Sequence, residues 1–475
     1  MNSYSLNYSL ESYFGQVRYN YDDKYFLHGI FRRDGSSKFI GNNKWGNFWS
    51  VGGAWILNRE GFLTDVNWLK FLKFRLSYGV TGNQDLVVGN TQANYYPYSD
   101  LYSISNLNDD ISVKLAYKGN SGLTWESTKI FNPGIDFNIN NVIEGEIEYS
   151  HRRTDNMLFN KQVAPSLGYV SIPVNDGVLL NQELDLSLVY HALKAKDVRL
   201  DVRLNAAFLS NKMDRMPKDA KGNLKVLEVT GAYGYSKGHS IYDYYIREYA
   251  GVNPSTGDGE WYIYYDKKAS GDPIAISNFV DYASKNEIEE LVIERTSDYD
   301  KATLNYVGKS AIPDVYGGFG FDLSIRDFDF SATFSYGIGG YAYDNIYANQ
   351  MDNGMPGANA WHKDILNRWQ KEGDITDVPR LSANYDNLKI SDTSSRFLVS
   401  KSYLHLSNVR LAYNIPENIV SKMKLNSLNI WVSGDNLLLF TKRKGLIPFS
   451  SESGSSDVSR YTPTSALMAG VKFQF

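Results

Sequence analysis

The sequence predicts an all-β protein, an antiparallel transmembrane β-barrel. Segments in which apolar and polar side chains alternate recur along the chain. Very short or compact turns join these segments at every second connection, and long polar loops join them at the others. The chain also ends on such a segment, with phenylalanine as its last residue. Outer-membrane barrels combine these features, because their periplasmic turns are short and their outer loops are long.

The alternation is clearest over 319–325 and 328–338. Apolar residues occupy one face of these two segments, and glycine, serine, threonine and aspartate occupy the other. Successive side chains of a strand point to opposite faces, so the pattern indicates two different environments. Charges avoid the apolar face because a lysine or arginine facing lipid at mid-membrane costs about 2 to 4 kcal/mol. The same pattern recurs over 72–80, 184–190 and 198–208.

The order of the connections separates a barrel from a large antiparallel sandwich with one solvated face, which would show the same alternation. A sandwich has no reason to sort its short turns to one end and its long loops to the other, so the sorting favours the barrel. The predicted turns are 22–23, 58–70, 140–141, 192–197, 326–327 and 414–426. They alternate with long connections at 34–45, 82–123, 154–178, 212–314, 339–402 and 441–464.

The number of strands predicts that the chain is incomplete. Self-contained outer-membrane barrels have an even number of strands and both ends in the periplasm. Thirteen strands are predicted here, and if the last one ends in the periplasm, an odd number places residue 1 outside the cell. We therefore expect a single incomplete domain over 1–475, the carboxyl-terminal part of a longer protein. The segment 1–10 lacks the basic and apolar regions of a secretory signal, which agrees with this expectation. The thirteen predicted strands are 11–21, 24–33, 46–57, 71–81, 124–139, 142–153, 179–191, 198–211, 315–325, 328–338, 403–413, 427–440 and 465–475.

Composition excludes several classes of protein. The absence of cysteine excludes disulfides, thiolate metal sites and a cysteine nucleophile. A net charge of -4 with mixed signs gives no basic stripe, so nucleic acid is not expected as a partner. No apolar run reaches about 18 residues, so no transmembrane helix is expected. Aromatic residues make 14% of the chain, which suits girdles at two membrane interfaces or surfaces that stack on carbohydrate.

Aromatic side chains in the predicted outer loops are candidates for stacking on sugar rings, because flat apolar rings pair well with the C–H faces of sugars. Packing within the loops, or contact with a covering protein, is the alternative for the same side chains. The candidates are Tyr242, Tyr244, Tyr245, Trp261, Tyr262, Trp361 and Trp369. Substrate-binding residues are otherwise left unassigned.

The titratable residues do not predict catalysis or metal binding. Glu144, Glu146 and Glu148 repeat on one face of a strand, as in a hydrated wall, and this favours lining over an acid/base role. No enzymatic activity and no cofactor is expected. Histidines in ligand-pair spacing would indicate a zinc site, and none of the six has it. They are His28, His151, His191, His239, His362 and His405.

Two glycine-containing stretches are best explained as turns. The stretch 253–259 has a weak similarity to a calcium loop, but Asn-Pro and Thr-Gly pairs are ordinary turn chemistry. Gly231, Gly234 and Gly238 do not follow a strand and open a helix, so they do not form a nucleotide-binding loop.

Short motifs cover nearly the whole chain. They are Tyr-Phe-Gly at 13–15, Arg-Arg-Asp-Gly-Ser-Ser-Lys-Phe at 32–39, the stretch 72–84 that ends in Gly-Asn-Gln, Leu-Thr-Trp-Glu at 123–126, Ala-Gly-Val-Asn-Pro at 250–254, Arg-Trp at 368–369, Pro-Arg at 379–380, Ser-Tyr-Leu at 402–404, Leu-Ala-Tyr-Asn-Ile-Pro at 411–416 and Gly-Asp-Asn-Leu at 434–437. Jointly they resemble the SusC/RagA family of TonB-dependent outer-membrane transporters of Bacteroidetes. The chain departs from the family pattern at His405, where arginine is usual, and at Trp49, where proline is favoured.

The resemblance implies part of an active importer in the outer membrane of a Gram-negative cell. Barrels of this class have 22 strands around a plugged lumen, so the thirteen predicted here would leave nine strands and the plug domain outside this chain. The family implies two partners: a SusD-like surface lipoprotein that captures ligand, and the TonB system, which acts through the plug. Its ligands are mostly oligosaccharides and sometimes peptides, and the sequence does not distinguish them.

Two other functions remain open at this point. One is a secreted all-β protein that binds or degrades glycans, and the other is a passive porin or adhesin barrel. An unclosed barrel would leave two bare strand edges in lipid, so we do not expect the 475 residues alone to transport.

Overall fold

The computed structural model describes residues 5–86, 91–107, 110–163, 165–169, 171–219, 221–352, 360–382, 388–449 and 463–475. Parts of the predicted long connections, among them 87–90, 353–359, 383–387 and 450–462, lie outside the described residues, as do residues 1–4 of the amino-terminal segment. Two compact units divide the chain. The first comprises Met1–Lys194, Asp201–Lys225 and Ser236–Gly238, and the second Ala195–Leu200, Val226–Tyr235 and His239–Phe475. None of the helices in the described ranges is both long and apolar enough to cross a membrane.

The first unit is built on a large antiparallel sheet. Within its described residues the strand order is β1-β2-β3-β4-β7-β8-β11-β12, and β5-β6 and β9-β10 form separate hairpins in the long connections. The strands are β1 (Leu10–Tyr21), β2 (Tyr25–Ser36), β3 (Trp45–Ile56), β4 (Leu69–Asn83), β5 (Leu101–Leu107), β6 (Asp110–Tyr117), β7 (Glu126–Ile139), β8 (Ile143–Asp155), β9 (Leu158–Gln162), β10 (Ser171–Asn175), β11 (Val178–Lys194) and β12 (Val198–Arg215), the last beginning in the second unit.

Tight turns close the hairpins at one end of this sheet. Asp22 and Asp23 between β1 and β2 have φ of 54° and 48°, and Asn140 and Asn141 between β7 and β8 both have φ of 54°. Asparagine and aspartate tolerate this left-handed region better than other residues with a side chain, so these turns are fixed by local sequence. At the other end, a small core of apolar residues packs where the long connections leave the strands. It contains Phe39, Phe48, Leu86, Leu123 and Trp125.

The second unit contains a five-stranded antiparallel sheet and several smaller sheets. The large sheet has the order β21-β22-β25-β26-β27 within the described residues. The strands are β13 (Glu228–Thr230), β14 (Tyr233–Tyr235), β15 (Asp243–Arg247), β16 (Tyr249–Val252), β17 (Gly259–Asp266), β18 (Ile274–Ile276), β19 (Leu291–Thr296), β20 (Leu304–Ser310), β21 (Val315–Ile325), β22 (Phe328–Ile338), β23 (Tyr341–Tyr343), β24 (Leu398–Ser400), β25 (Tyr403–Asn414), β26 (Ser427–Thr441) and β27 (Ala466–Gln474).

Helices are short throughout the described chain. The α-helices are α1 (Thr91–Tyr95), α2 (Phe279–Lys285), α3 (Asn345–Gln350) and α4 (Glu417–Val420). Asn278 caps α2 by accepting a hydrogen bond from the Asp281 backbone N–H at 3.0 Å. Single 3₁₀ turns lie at Gly41–Lys44, Leu57–Arg59, Gly61–Leu63, Pro165–Leu167, Lys363–Asn367, Ser395–Phe397 and Ser421–Met423.

The long connections of the second unit differ from the polar loops that the sequence predicted. Within the described residues of 226–235, 239–310 and 341–401, the second unit contains β13–β20, β23, β24, α2 and α3, and these elements pack around apolar cores. Aromatic and aliphatic side chains in these stretches are spaced irregularly in sequence, so no periodic pattern predicted that they pack together. The main core contains Tyr244, Ile246, Ala311, Tyr343, Ala348, Met351, Ile365, Val378, Phe397 and Leu398.

Candidate functional site

The apolar face of the first unit's sheet is uncovered over the middle of its strands. Val17 is 70% exposed and Leu27 is 55% exposed, and their neighbours on the same face are similarly open. Cross-strand pairs such as Tyr19 with Leu27, and Ile135 with Ile147, keep the apolar residues in one layer. Soluble proteins rarely leave a contiguous apolar surface of this kind bare, so the face requires an apolar environment.

Aromatic side chains stand at both ends of this apolar face. Near the tight turns, the Tyr25 ring stacks on Trp55 at 6.2 Å, with the ring planes 17° apart. Towards the long connections, the Trp49 and Tyr78 rings lie 5.7 Å apart. Two aromatic girdles that flank an apolar band are typical of a membrane-embedded barrel wall.

The second unit's large sheet has the same construction. The Phe319 and Phe334 rings stack across β21 and β22 with centroids 4.8 Å apart, and Val432 and Val471 on the later strands are more than half exposed. The opposite face carries hydrogen-bonded polar groups. Asn408 donates to Asp435 at 2.6 Å, Asn414 donates to Asp329 at 2.7 Å, and Ser324 donates to Asp329 at 2.6 Å.

Arg75 joins three strands on the polar face of the first unit. Its guanidinium donates to Asp136 on β7 at 2.9 Å, to Glu148 on β8 at 3.1 Å, and to Glu146 on β8. Lys73 also pairs with Asp136, at 3.1 Å. These charges lie on a face that accepts water, which is what a barrel lumen provides.

The structure places the three predicted glutamates in this charged wall. Glu146 and Glu148 share Arg75, and Glu144 accepts a hydrogen bond from Asn138 at 3.1 Å. The His191 Nε2 lies 3.7 Å from Glu144, and its Nδ1 lies 2.6 Å from Asp201. Each of the three carboxylates is therefore engaged with a neighbouring side chain on the polar face. Over the described ranges, the histidines and carboxylates form no group of three that could hold a metal ion.

Three of the predicted stacking residues are buried in the second unit. Tyr244 and Tyr245 are both 0% exposed, and Trp261 is 1% exposed. The Tyr244 hydroxyl donates to the Tyr341 carbonyl at 3.2 Å, and the Tyr245 hydroxyl donates to the Asn278 side chain at 2.7 Å. These rings hold the loop core together, so they do not present a face to a ligand.

Trp369 also has a structural role. Its ring covers Gly257, where an added Cβ would meet the ring at 2.4 Å, and its Nε1 donates to the Pro254 carbonyl at 2.9 Å. Asp258 in the same turn accepts from Arg380 at 2.9 Å. In the stretch 253–259, the Asn253 Oδ1 accepts from the Ser255 backbone N–H at 2.9 Å, as in an Asx turn.

Trp361 is the predicted stacking residue that remains most open. It is 40% exposed, and its Nε1 donates to the Asp352 carbonyl at 2.9 Å. Tyr242 and Tyr262 are half-buried. A ring held by its polar edge with one face open can stack on a sugar or a peptide side chain.

Known proteins of similar sequence and structure agree on one family. "TonB-dependent receptor P3" of Formosa agariphila is 29% identical over 458 residues, which cover 94% of this chain and 42% of that protein. "TonB-dependent receptor SusC" of Bacteroides thetaiotaomicron is 25% identical over 490 residues, covering 100% and 44%. The structure of the RagAB peptide transporter superimposes with a TM-score of 0.78 at 25% identity, covering 98% of this chain and 48% of that one. The chain is similar in sequence and in fold to SusC- and RagA-type TonB-dependent receptors.

The SusC/RagA-like chain spans less than half the length of the curated relatives that it matches. No family model matches it. The similarity to these outer-membrane proteins places the chain in the outer membrane. Its large antiparallel sheets match those of the RagAB transporter.

Sequence reasoning missed two cationic features of the SusC/RagA-like chain. The Arg75 network depends on the register of β4, β7 and β8, and the only signal for it was that Arg75 and Glu146 lie on polar faces of separate strands. Arg396 lies in the loop core, over the rings of Tyr249 at 5.4 Å and Phe397 at 4.9 Å. Burial lowers the pKa of its guanidinium. No periodic pattern in the surrounding segment indicated this burial.

Raising the pH above 10 should loosen the loop core of the second unit. Burial raises the pKa of Tyr245 from 10.0 to about 12, and burial also raises the pKa of Tyr244. Because the folded state favours the neutral phenols, their stabilisation is fully present below pH 10 and is lost as the pH rises from 10 through 12. Phenolate absorbance during a base titration should show a late phase that coincides with unfolding.

Two variants test the assignment of that late phase. Tyr245→Phe should remove one of the groups that titrate late, whereas Tyr102→Phe, at a hydroxyl on the exposed β5-β6 hairpin, should leave the late phase intact. A late phase of equal size in wild type and Tyr245→Phe would contradict the prediction.

Proposed function

We propose that this chain is the carboxyl-terminal part of the barrel of an active outer-membrane importer, contributing thirteen of 22 strands, with the plug and the remaining strands outside it. One observation carries the proposal: in both units, an uncovered apolar face lies opposite a face of charged and hydrogen-bonded side chains. A sheet of this kind is stable with lipid on one side and water on the other.

The proposed partners are a SusD-like surface lipoprotein and the TonB system. RagAB is a peptide importer that has been solved in "open-open" and "closed-closed" states. For this chain we propose that the lipoprotein captures ligand outside the cell and that the TonB system supplies energy through the plug. The apolar cores packed in the described parts of the long connections of the second unit support a surface that such a partner could contact.

The proposed ligands are oligosaccharides, with peptides as the alternative. The polar face around Arg75 suits either class of ligand, because Arg75 and its carboxylate partners carry both signs of charge and many hydrogen-bonding groups. Trp361 adds an open aromatic face. The role is transport rather than catalysis.

Uptake by the native host tests the proposal. Cells with the gene intact should accumulate labelled oligosaccharides or labelled peptides, and cells lacking the gene should lose most of that uptake for one of the two classes. A protonophore should abolish the difference in uptake between cells with and without the gene, because the TonB system is driven by the proton gradient across the inner membrane. Uptake that persists with the protonophore would indicate a passive porin instead, and recovery of the protein in the soluble fraction would indicate a secreted protein.

A further inference from the structure

Arg33 is a charged residue on the apolar face of the first unit's sheet. It lies opposite Tyr13 in the register of β1 with β2, on the same face as Phe31 and Leu27. Its guanidinium lies 5.2 Å from the centre of the Trp45 ring. Tyr13, Phe14, Phe31 and Trp45 line a shallow pocket around it.

Other cations at this end of the same face have carboxylate partners. Arg153 pairs with Asp155 at 3.1 Å and with Asp214 at 2.7 Å, and Lys129 pairs with Asp155 at 3.0 Å. Within the described residues, Arg33 has no carboxylate within ion-pair distance. The nearby acid on its face, Glu11, instead accepts a hydrogen bond from the Tyr13 hydroxyl.

The position of Arg33 along the strand places it at the edge of the apolar band. Tyr25, in the girdle near the turns, is eight residues away, or about 26 Å along the strand. With the usual tilt of about 40°, this corresponds to a height of roughly 20 Å, which is close to the roughly 25 Å of the band. Arg33 therefore reaches the far interface, where a long side chain can direct its charge to the headgroups.

We propose that Arg33, with Tyr13, Phe31 and Trp45, forms a binding site for the phosphate of an anionic lipid in the outer leaflet. The proposal rests on the membrane placement given under the proposed function. A guanidinium that lies over the Trp45 ring can still direct two N–H groups in parallel hydrogen bonds to phosphate oxygens. Phe31 and the apolar face beyond it accommodate the acyl chains of the same lipid, so a free phosphate ion would meet only half of the site.

Lipid exchange on the full protein tests the site. Variants Arg33→Gln, Arg33→Lys and Arg32→Gln are made in the native host, and the purified proteins are titrated with phosphatidylglycerol or phosphatidylcholine and weighed by native mass spectrometry. Arg32 is the matched control, because it is the adjacent arginine, points to the opposite face and pairs with Asp34 at 2.7 Å. Inorganic phosphate alone is the second control probe.

Wild type and Arg32→Gln should bind phosphatidylglycerol about tenfold more tightly than phosphatidylcholine, because both lipids offer a phosphate to the guanidinium but the choline cation of phosphatidylcholine repels Arg33. Arg33→Gln should lose this preference, and Arg33→Lys should keep part of it because the charge remains without the planar fork. Equal preference in wild type and Arg33→Gln, or equal loss in Arg32→Gln, would overturn the proposal. So would binding of inorganic phosphate as tightly as of the lipid.

Ligand uptake separates this site from the proposed function. Arg33→Gln should import ligand like the wild type at saturating expression, because Arg33 faces away from the polar wall. If the variants bind lipid as predicted but no uptake is found, the lipid site stands and the importer proposal fails. If the wild-type protein does not float with lipid vesicles at all, both fail together.

Discussion

Leu186→Arg should destabilise the lipid-embedded protein by about 2 to 4 kcal/mol, whereas Ser187→Arg should change the free energy of unfolding by less than about 0.5 kcal/mol. The two residues are neighbours on β11 and point to opposite faces. Leu186 lies opposite Ile147 on the apolar face, and Ser187 lies opposite Glu146 on the polar face. An arginine at 186 would enter lipid without a partner, and one at 187 would meet a carboxylate.

The size of the Leu186→Arg effect distinguishes lipid from water outside the sheet. Ile147 is 40% exposed, so the face is open at this point. In water, an arginine on an open face would be tolerated and would improve solubility. Urea unfolding of wild type and both variants in lipid vesicles measures the difference from the shift in midpoint at an unchanged slope. An unshifted midpoint for Leu186→Arg would contradict the membrane placement.

The strands could be predicted from sequence because the two faces differ so strongly. The predicted segments 315–325 and 328–338 match β21 and β22 at both ends, since the Arg326-Asp327 turn limits them locally. The prediction for 198–211 stopped four residues short of the end of β12 at Arg215. The apolar alternation ends at Phe208, but the strand continues and Asp214 pairs with Arg153. Alternation reports where the apolar face ends and not where the backbone pairing ends.

The candidate site was less accessible to sequence reasoning. The Arg75 network joins residues that are 61 to 73 positions apart, and only the register of three strands brings them together. The aromatic candidates failed for a different reason. Tyr244 and Trp261 are buried because of small sheets that no periodic pattern predicts. Residue type alone therefore could not separate these buried rings from the exposed ring of Trp361.

Trp261→Ala should destabilise the loop core of the second unit by about 3 to 5 kcal/mol, which is the range for truncating a large buried aromatic residue. The Trp261 ring packs edge-on against Tyr299 at 5.4 Å and Tyr249 at 6.0 Å. Ala302 and Ile390 complete its surroundings. Hydrogen exchange should show the loss as faster exchange in β17 and β19, while the strands of the large sheet remain protected, because local units open independently.

Trp261→Phe separates the apolar contribution from the polar one. The Trp261 Nε1 is buried and finds no hydrogen-bond acceptor among the described residues. Phenylalanine keeps most of the ring volume and removes this unsatisfied donor, so the variant should lose only about 1 kcal/mol. A loss as large as that of Trp261→Ala would mean that the indole nitrogen has a partner that the packing does not reveal.

Ligand binding by the same variants tests whether the outer aromatics recognise substrate or support the loops. Trp361→Ala, at the open ring, should lower affinity for the imported ligand while changing hydrogen exchange little beyond the Asp352 contact. Trp261→Ala should lower affinity only to the extent that it opens the loop core, so stabilising conditions should restore binding. If Trp361→Ala binds ligand as wild type does, the open ring is a contact for the partner lipoprotein or a surface residue, and recognition lies on the polar wall around Arg75.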